Sequence, residues 1–179
     1  MLFALHESEG LPVCILRPGL VVGDGGTPFH GGLGFFNNDQ HCIGWNRGTN
    51  PLPFVLAGDV AQAIWLACHA PDVTGRAYNI VGDVRLSARA YISELSRAMS
   101  RPLRFHPQRP TFLWMEEMAK WGVKRMTGRP VQRPSLRDLL SRGLVAEFDC
   151  QDAKHDLGWV PVSDRQVFVE RAIQIFGNT

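Results

Sequence analysis

The chain has 179 residues, 45% of them hydrophobic, with a formal net charge of +2 and a pI near 8.5. That length buries one core comfortably, and so small an excess of charge calls for neither a nucleic-acid nor an acidic-membrane partner. No run approaches the roughly 18 to 20 apolar residues of a membrane span, and the first ten residues lack the positive start and small-residue cleavage site of a signal peptide.

The opening MLFALHESEG reads as the tail of an amphipathic helix, with Leu2, Phe3 and Leu5 on its apolar side and Gly10 as its stop. The apolar run after it predicts a strand over 13–16, closed by Arg17-Pro18-Gly19. A glycine-rich irregular segment follows over 23–34, and Phe29, His30, Phe35 and Phe36 give this stretch an unusual aromatic density for a loop. Short strands are expected over 41–44 and 52–56, with a turn over 46–50 between them.

Asp59 precedes VAQAIWLACHA and reads as the N-cap of a helix that Pro71 closes. Its buried stripe is expected to be Ile64, Ala67 and Cys68 with Val60 and Ala61. A strand over 77–81 comes next, then a helix over 88–99 capped by Ser87, with Tyr91, Ile92, Leu95 and Met99 on one face. An edge strand over 103–105 leads into a longer helix over 111–126, whose apolar surface is expected at Phe112, Met115, Ala119, Trp121 and Met126. A basic, proline-rich connector spans 128–134, and Ser135 caps a short helix over 136–142. A brief extended piece at 147–149, a helix of one or two turns, and a final helix capped by Ser163 complete the chain, the last burying Val167, Ala172, Ile173 and Phe176.

The four cysteines, Cys14, Cys42, Cys68 and Cys150, are widely spaced and form no CxxC pair, so zinc-ligand spacing is absent. Three lie in apolar runs, where cysteine behaves as a small hydrophobe. They predict a reducing, cytoplasmic setting without disulfides. The six histidines are scattered, with no pair at metal-ligand spacing; no metal is expected.

Four stretches, in order, resemble the carboxy-terminal half of an extended short-chain dehydrogenase/reductase of the NAD-dependent epimerase/dehydratase family. They are EGLPVCILRPGLVVGDGG, LPFVLAGDVAQAIWLAC, GRAYNIVGD with the helix after it, and FDCQDAKHDLGWVPV with the terminal helix. The resemblance implies an α/β fold: the C-terminal part of a Rossmann-like parallel sheet plus a small, mostly helical substrate-binding lobe. The last Rossmann strands would lie near 12–17 and 77–81, and the lobe would be drawn mainly from 23–56 and 101–160, the whole making one incomplete domain. The family's glycine-rich GxxGxxG turn and its Tyr-x-x-x-Lys pair are not found in these 179 residues. The lysine would fall just before Met1.

Hydride transfer to or from a nicotinamide needs a held dinucleotide and a proton donor or acceptor beside the reacting carbon. Tyr78 and Tyr91 have no lysine four residues on and read as structural. No catalytic residue is therefore assigned, and the chain alone is expected to be inactive: a cloned fragment or a truncated product of an NAD(P)-dependent epimerase, dehydratase or reductase. NAD or NADP binding would be weak or absent without the rest of the fold. The resemblance places Pro18, Gly19, Leu20 and Val21 against the nicotinamide carboxamide, with Arg17 bracing the loop. It places substrate near Phe29, Phe35, Arg47, Asn50, Arg129 and Arg133, the arginines being suited to a nucleotide diphosphate. Leu20 is apolar where many sugar-nucleotide members carry a polar residue, which with the nearby aromatics leaves a less polar secondary alcohol or ketone open as substrate. The rival expectation is a non-catalytic interaction module. An apolar strand over 13–16 with an open edge invites another chain, so a homodimer or strand-edge contact is predicted.

Overall fold

The computed structural model describes residues 2–127 and 131–178. In chain order its elements are α1 (Leu2–Glu9), β1 (Ile15–Pro18), β2 (Leu20–Val22), β3 (Gly34–Asn37), β4 (His41–Trp45), β5 (Phe54–Leu56), α2 (Ala57–His69), β6 (Ala77–Ile80) and α3 (Ala88–Ala98). These are followed by β7 (Arg104–Gln108), α4 (Pro110–Met126), α5 (Leu136–Arg142), α6 (Gln151–Asp156) and α7 (Arg165–Ala172), with a 3₁₀ turn at Gln174–Asn178. They gather into two compact units. The first holds residues 2–28, 52–86 and 146–178, and the second 29–51 and 87–145.

In the first unit β1 pairs with β6 and β2 with β5, both parallel. Parallel strands need crossovers, and α2 lies in the connection from β5 to β6. The core is built around Trp159, fully buried against Tyr78, Ile80, Val81, Val55 and Ala63. Its indole Nε1 donates to the Asp59 carbonyl at 2.9 Å, so the polar edge of a large apolar side chain is satisfied where it is buried. Polar links pin α6 beside β6. The Tyr78 hydroxyl donates to Asp156 Oδ2 at 3.0 Å, Arg76 pairs with the same oxygen at 2.8 Å, and Lys154 pairs with Asp83 at 2.7 Å. Burial, then the Asp156 carboxylate, push the Tyr78 phenol up to about 12, so it remains protonated and donating at neutral pH.

Asp59 does not cap α2. The N-cap is Leu56, and Asp59 lies buried in the first turn, where Oδ2 accepts the Val162 amide at 3.1 Å. The carboxylate therefore ties the 158–162 segment to the helix, a long-range partner invisible to a local capping rule. The helix also turns a different face inward. Ala63 is buried and Val60, Leu66, Ala67 and Ala70 pack on the core, while Ile64, Trp65 and Cys68 are exposed. At the C-terminal end, Asp164 rather than Ser163 is the cap of α7, accepting the Val167 amide at 2.9 Å. Phe168, Val169, Ala172 and Ile173 form the buried side, and Phe54 meets Phe168 with ring centroids 6.1 Å apart.

In the second unit β3, β4 and β7 form a three-stranded sheet in that order. β3 and β4 are an antiparallel hairpin, and β4 runs parallel to β7. The hairpin reverses through Asn38 and Asp39, at φ 51° and 50°, a region these short polar side chains enter more readily than most. The Phe105 ring packs so tightly on β4 that a Cβ on Gly44 would stand 2.0 Å from it. Ser87 caps α3 by accepting the Ala90 amide, and Tyr91, Ile92 and Leu95 are buried beneath it. On α4 the covered side is Leu113, buried, with Trp114, Met118 and Trp121 half-buried. Phe112, Met115 and Met126 of the expected stripe are exposed instead, and α4 packs with α5. The Nε1 atoms of Trp114 and Trp121 donate to the carbonyls of Pro134 and Val131, at 3.3 and 3.2 Å, tying the 131–134 segment to α4.

Candidate functional site

The strand expected over 13–16 sits two residues later and runs into Pro18. At Gly19 the chain changes partner. The Gly19 amide donates to Ile80 O at 3.0 Å and the Leu20 amide to Pro53 O at 2.7 Å. One residue thus ends pairing with β6 and the next begins pairing with β5. Proline supplies the break, having no amide to spend on a ladder. Glycine is required by contact: a Cβ at residue 19 would lie 2.0 Å from Pro53 O and 3.1 Å from a Val81 methyl.

The consequence for β2 is directional. Alternate residues of a strand send their N–H and C=O to opposite sides. Leu20 spends its amide on Pro53, so the N–H and C=O of Val21 point to the edge of β2 away from β5. Among the described residues β2 has β5 as its sole sheet neighbour, and Val21 is 37% exposed. One donor and one acceptor side by side on a strand edge match a primary carboxamide, which presents an acceptor oxygen and a donor NH₂. Pro18, Gly19, Leu20 and Val21 are thus brought together in one short segment, and the residues present fit the carboxamide end of a nicotinamide cofactor.

Beyond β2 the first unit opens a cavity of about 460 Å³, lined by Val22, Gly23, Asp24, Asp59, Gln62 and Arg171 among others. Burial raises the Asp59 carboxyl above the usual range, against the opposing pull of the Val162 amide and the Arg171 charge. Sequence reasoning treated Asp59 as a plain cap and passed over Arg171. Nothing local signals Arg171, since its relation to Asp59 spans over a hundred positions.

The substrate candidates divide. Phe35 packs edge-on against Trp45 with centroids 5.1 Å apart, and Arg142 covers the same indole at 5.4 Å. Asn50 Nδ2 donates to Gly143 O at 3.1 Å, an oxygen that Asn46 Nδ2 also reaches at 3.0 Å. Phe35, Trp45, Asn46, Asn50 and Arg142 therefore form one patch in the second unit. Phe29 lies in another, tilted against Phe36 at 5.0 Å and covered by Arg101 at 5.5 Å. Arg47 contributes its carbonyl to Arg89 Nε while its own side chain is exposed, and Arg133 is likewise exposed. Arg129 lies outside the described residues. Arg101 and Arg142 were missed. Both are single arginines whose aromatic partners lie tens of positions away.

The histidines are less scattered than their spacing suggests. Pairing of β4 with β7 brings His41 Nδ1 within 2.9 Å of His106 Nε2. Among the described residues no group of three or more His, Cys, Asp or Glu converges to hold a metal ion. No helix there is long and apolar enough to cross a membrane. Cys42, held up to about 12 by burial, is an inert thiol at neutral pH.

The parallel strands with crossovers define the class: a Rossmann-like α/β fold. Residues 1–81 match the model of the NAD dependent epimerase/dehydratase family. Solved structures agree on the fold across nearly the whole chain. UDP-glucuronic acid 4-epimerase from Bacillus cereus, in complex with UDP-glucuronic acid and NAD, matches with a TM-score of 0.63 at 16% identity, covering 98% of this chain and 48% of that one. UDP-glucose 4-epimerase from Thermus thermophilus, complexed with NAD, matches with a TM-score of 0.61 at 17% identity, covering 99% and 50%. The dTDP-glucose 4,6-dehydratase from Streptomyces venezuelae matches with a TM-score of 0.61 at 16% identity, covering 99% and 47%. The chain thus spans about half the length of the structures it matches. No curated protein matches its sequence.

Proposed function

We propose that these residues form the substrate-side half of an NAD(P)-dependent epimerase, dehydratase or reductase acting on a nucleotide sugar or a secondary alcohol or ketone. The observation that carries the reading is the β1–β2 switch, where Gly19 permits a backbone approach that no other residue fits and Val21 is left with a free donor–acceptor pair. Within this reading Pro18–Val21 hold the carboxamide and so orient the nicotinamide ring. The aromatic patch of Phe35, Trp45 and Asn50 offers a planar apolar surface with amides beside it, suited to a nucleotide base or a ring-bearing alcohol. Phe29, Arg47, Arg129 and Arg133 complete the proposed substrate set, the arginines serving phosphate. The bound cofactor would supply the hydride; this chain's residues position it and exclude water.

The reading is tested by amide chemical shifts of the 179-residue chain titrated with NADH, NADPH and nucleotide sugars. Shifts centred on Leu20–Val22 with cofactor and on 45–50 with nucleotide sugar are expected. Millimolar ligands that leave both segments unmoved would overturn it.

A second reading is an interaction module. Among the described residues β1 has β6 as its sole partner, and a two-stranded sheet is marginal by itself. A second copy, or another chain, pairing along the outer edge of β1 would lengthen the sheet. Light scattering after size exclusion decides this; a monomer at high concentration counts against it.

A further inference from the structure

The near-neutral net charge conceals a division. Residues 29–51 and 87–145 carry thirteen Lys and Arg against five Asp and Glu, whereas the rest of the chain carries six against twelve. The second unit is therefore a strongly cationic body whose field attracts anions from a distance. Much of that charge is dispersed over α4, α5 and their connector. Three arginines, however, meet in one place.

We propose that the cavity between α3 and β7 binds an anion of the phosphate class. The cavity measures about 490 Å³, and its polar lining is Arg89, Arg97, Arg101, Ser93, Ser96 and Ser100. No carboxylate lines it. Arg97 is paired with Glu94. Arg89 gives its Nε to a neutral carbonyl, that of Arg47, with its guanidinium over the Phe105 ring at 5.1 Å. Arg101 lies over the Phe29 ring at 5.5 Å, and its buried Nε has no acceptor. Among the described residues neither Arg89 nor Arg101 has a carboxylate within ion-pairing distance. Two half-committed guanidiniums, each held flat by an aromatic ring, are already oriented to offer their forks to an oxyanion.

A helix C-terminus ordinarily repels an anion. Here that end is blunted. The amides of Met99, Ser100 and Arg101 take up the carbonyls of Leu95, Arg97 and Ser96, and Ser96 Oγ accepts the Leu103 amide while donating to Arg101 O. Ser93 and Ser100 are exposed and keep hydroxyls for a ligand. Dispersed hydroxyls and guanidiniums with no carboxylate in the lining itself favour a doubly charged tetrahedral group over a carboxylate.

The experiment is isothermal titration of the whole chain at low ionic strength with inorganic phosphate, pyrophosphate and acetate, using three variants. Arg89→Gln with Arg101→Gln removes the two cavity charges that have no carboxylate partner. Arg125→Gln with Arg137→Gln removes the same charge elsewhere in the same unit. Ser93→Glu adds a carboxylate at the cavity from an exposed position and serves if the arginine pair impairs folding. Phosphate and pyrophosphate are expected to bind more tightly than acetate. The cavity pair and Ser93→Glu should each weaken them at least tenfold, and the remote pair less than twofold. Equal weakening by both pairs would show diffuse attraction to the unit and overturn the site. So would an unaltered affinity in the cavity variants, or no binding of phosphate or pyrophosphate at millimolar concentration.

Discussion

Replacing Gly19 by alanine tests the strand switch directly. The added methyl would stand 2.0 Å from Pro53 O and 3.1 Å from a Val81 side-chain carbon, well inside the roughly 3.5–4.0 Å optimum for non-bonded carbons. Neither obstacle can swing aside as a flexible side chain would. The carbonyl belongs to the backbone leading into β5, and the Val81 side chain belongs to a residue that is 1% exposed. Over-packing of this kind costs about 1–3 kcal/mol. The displaced oxygen is also the acceptor of the Leu20 amide at 2.7 Å, and losing a hydrogen bond adds about 1 kcal/mol. Gly19→Ala is therefore expected to destabilise the first unit by about 2–4 kcal/mol. Urea unfolding monitored by tryptophan fluorescence, to which buried Trp159 contributes, measures it, with Gly58→Ala as companion. Gly58 lies in the first turn of α2 with nothing near its added Cβ, so the same chemical change should be neutral or stabilising by up to about 1 kcal/mol. If Gly19→Ala falls within about 0.5 kcal/mol of the parent, the close approach does not govern the segment and the argument for an open Val21 edge fails with it.

Burial raises Asp59, so between the ordinary carboxylate value and that raised value the folded state holds more proton than the unfolded one. Stability should then fall as pH climbs through that window, and Asp59→Asn should flatten the slope in urea midpoints measured from the ordinary carboxylate value upward. Exposed Cys68 should react with maleimide in the native chain at slightly alkaline pH, whereas buried Cys42, held up to about 12, should react only on unfolding. Peptide mapping after timed pulses reads this, and equal labelling of the two would contradict the burial. Asn46 and Asn50 share the Gly143 oxygen, so each alanine variant alone should cost under about 0.5 kcal/mol and the pair about 1–2 kcal/mol. Proteolytic susceptibility of the 136–145 segment would report the difference, and simple additivity would sink the shared-acceptor account.

Elements whose signals are local were legible. Ser87 and Ser135 cap α3 and α5 as their spacing predicts, accepting the amides of Ala90 and Asp138. The Tyr91, Ile92 and Leu95 stripe is buried because α3 has one apolar face only. α2 and α4 defeated the same reasoning because each has two. Helical period shows that Phe112, Met115 and Met126 share a face, and equally that Leu113, Trp114, Met118 and Trp121 do. Which is covered depends on where α5 and the connector lie, and nothing within α4 records that. β3 went unread because the glycines and aromatics of 23–36 looked irregular, although Asn37-Asn38-Asp39 is a turn signal. The His41–His106 approach and the Asp59–Val162 bond depend on strand pairing and segment docking, which are decided by the whole fold.

The same distinction separates the proposed substrate residues from the proposed cofactor contact. A surface made of side chains can be marked by residue type, as the proposed substrate residues Phe35 and Asn50 are. The β2 edge is made of main-chain atoms, which every residue but proline possesses, so the sequence can mark it only by what it forbids. Gly19 is that mark: a position where a Cβ is excluded by the strand next door. Val21, which would meet the cofactor through N–H and C=O, is free in its side chain so long as the strand stays extended. An apolar Leu20 therefore bears on what lies across from it and leaves the carboxamide contact untouched. On the proposed reading the departure at Leu20 bears on the substrate alone, and the cofactor contact rests on the close approach at Gly19.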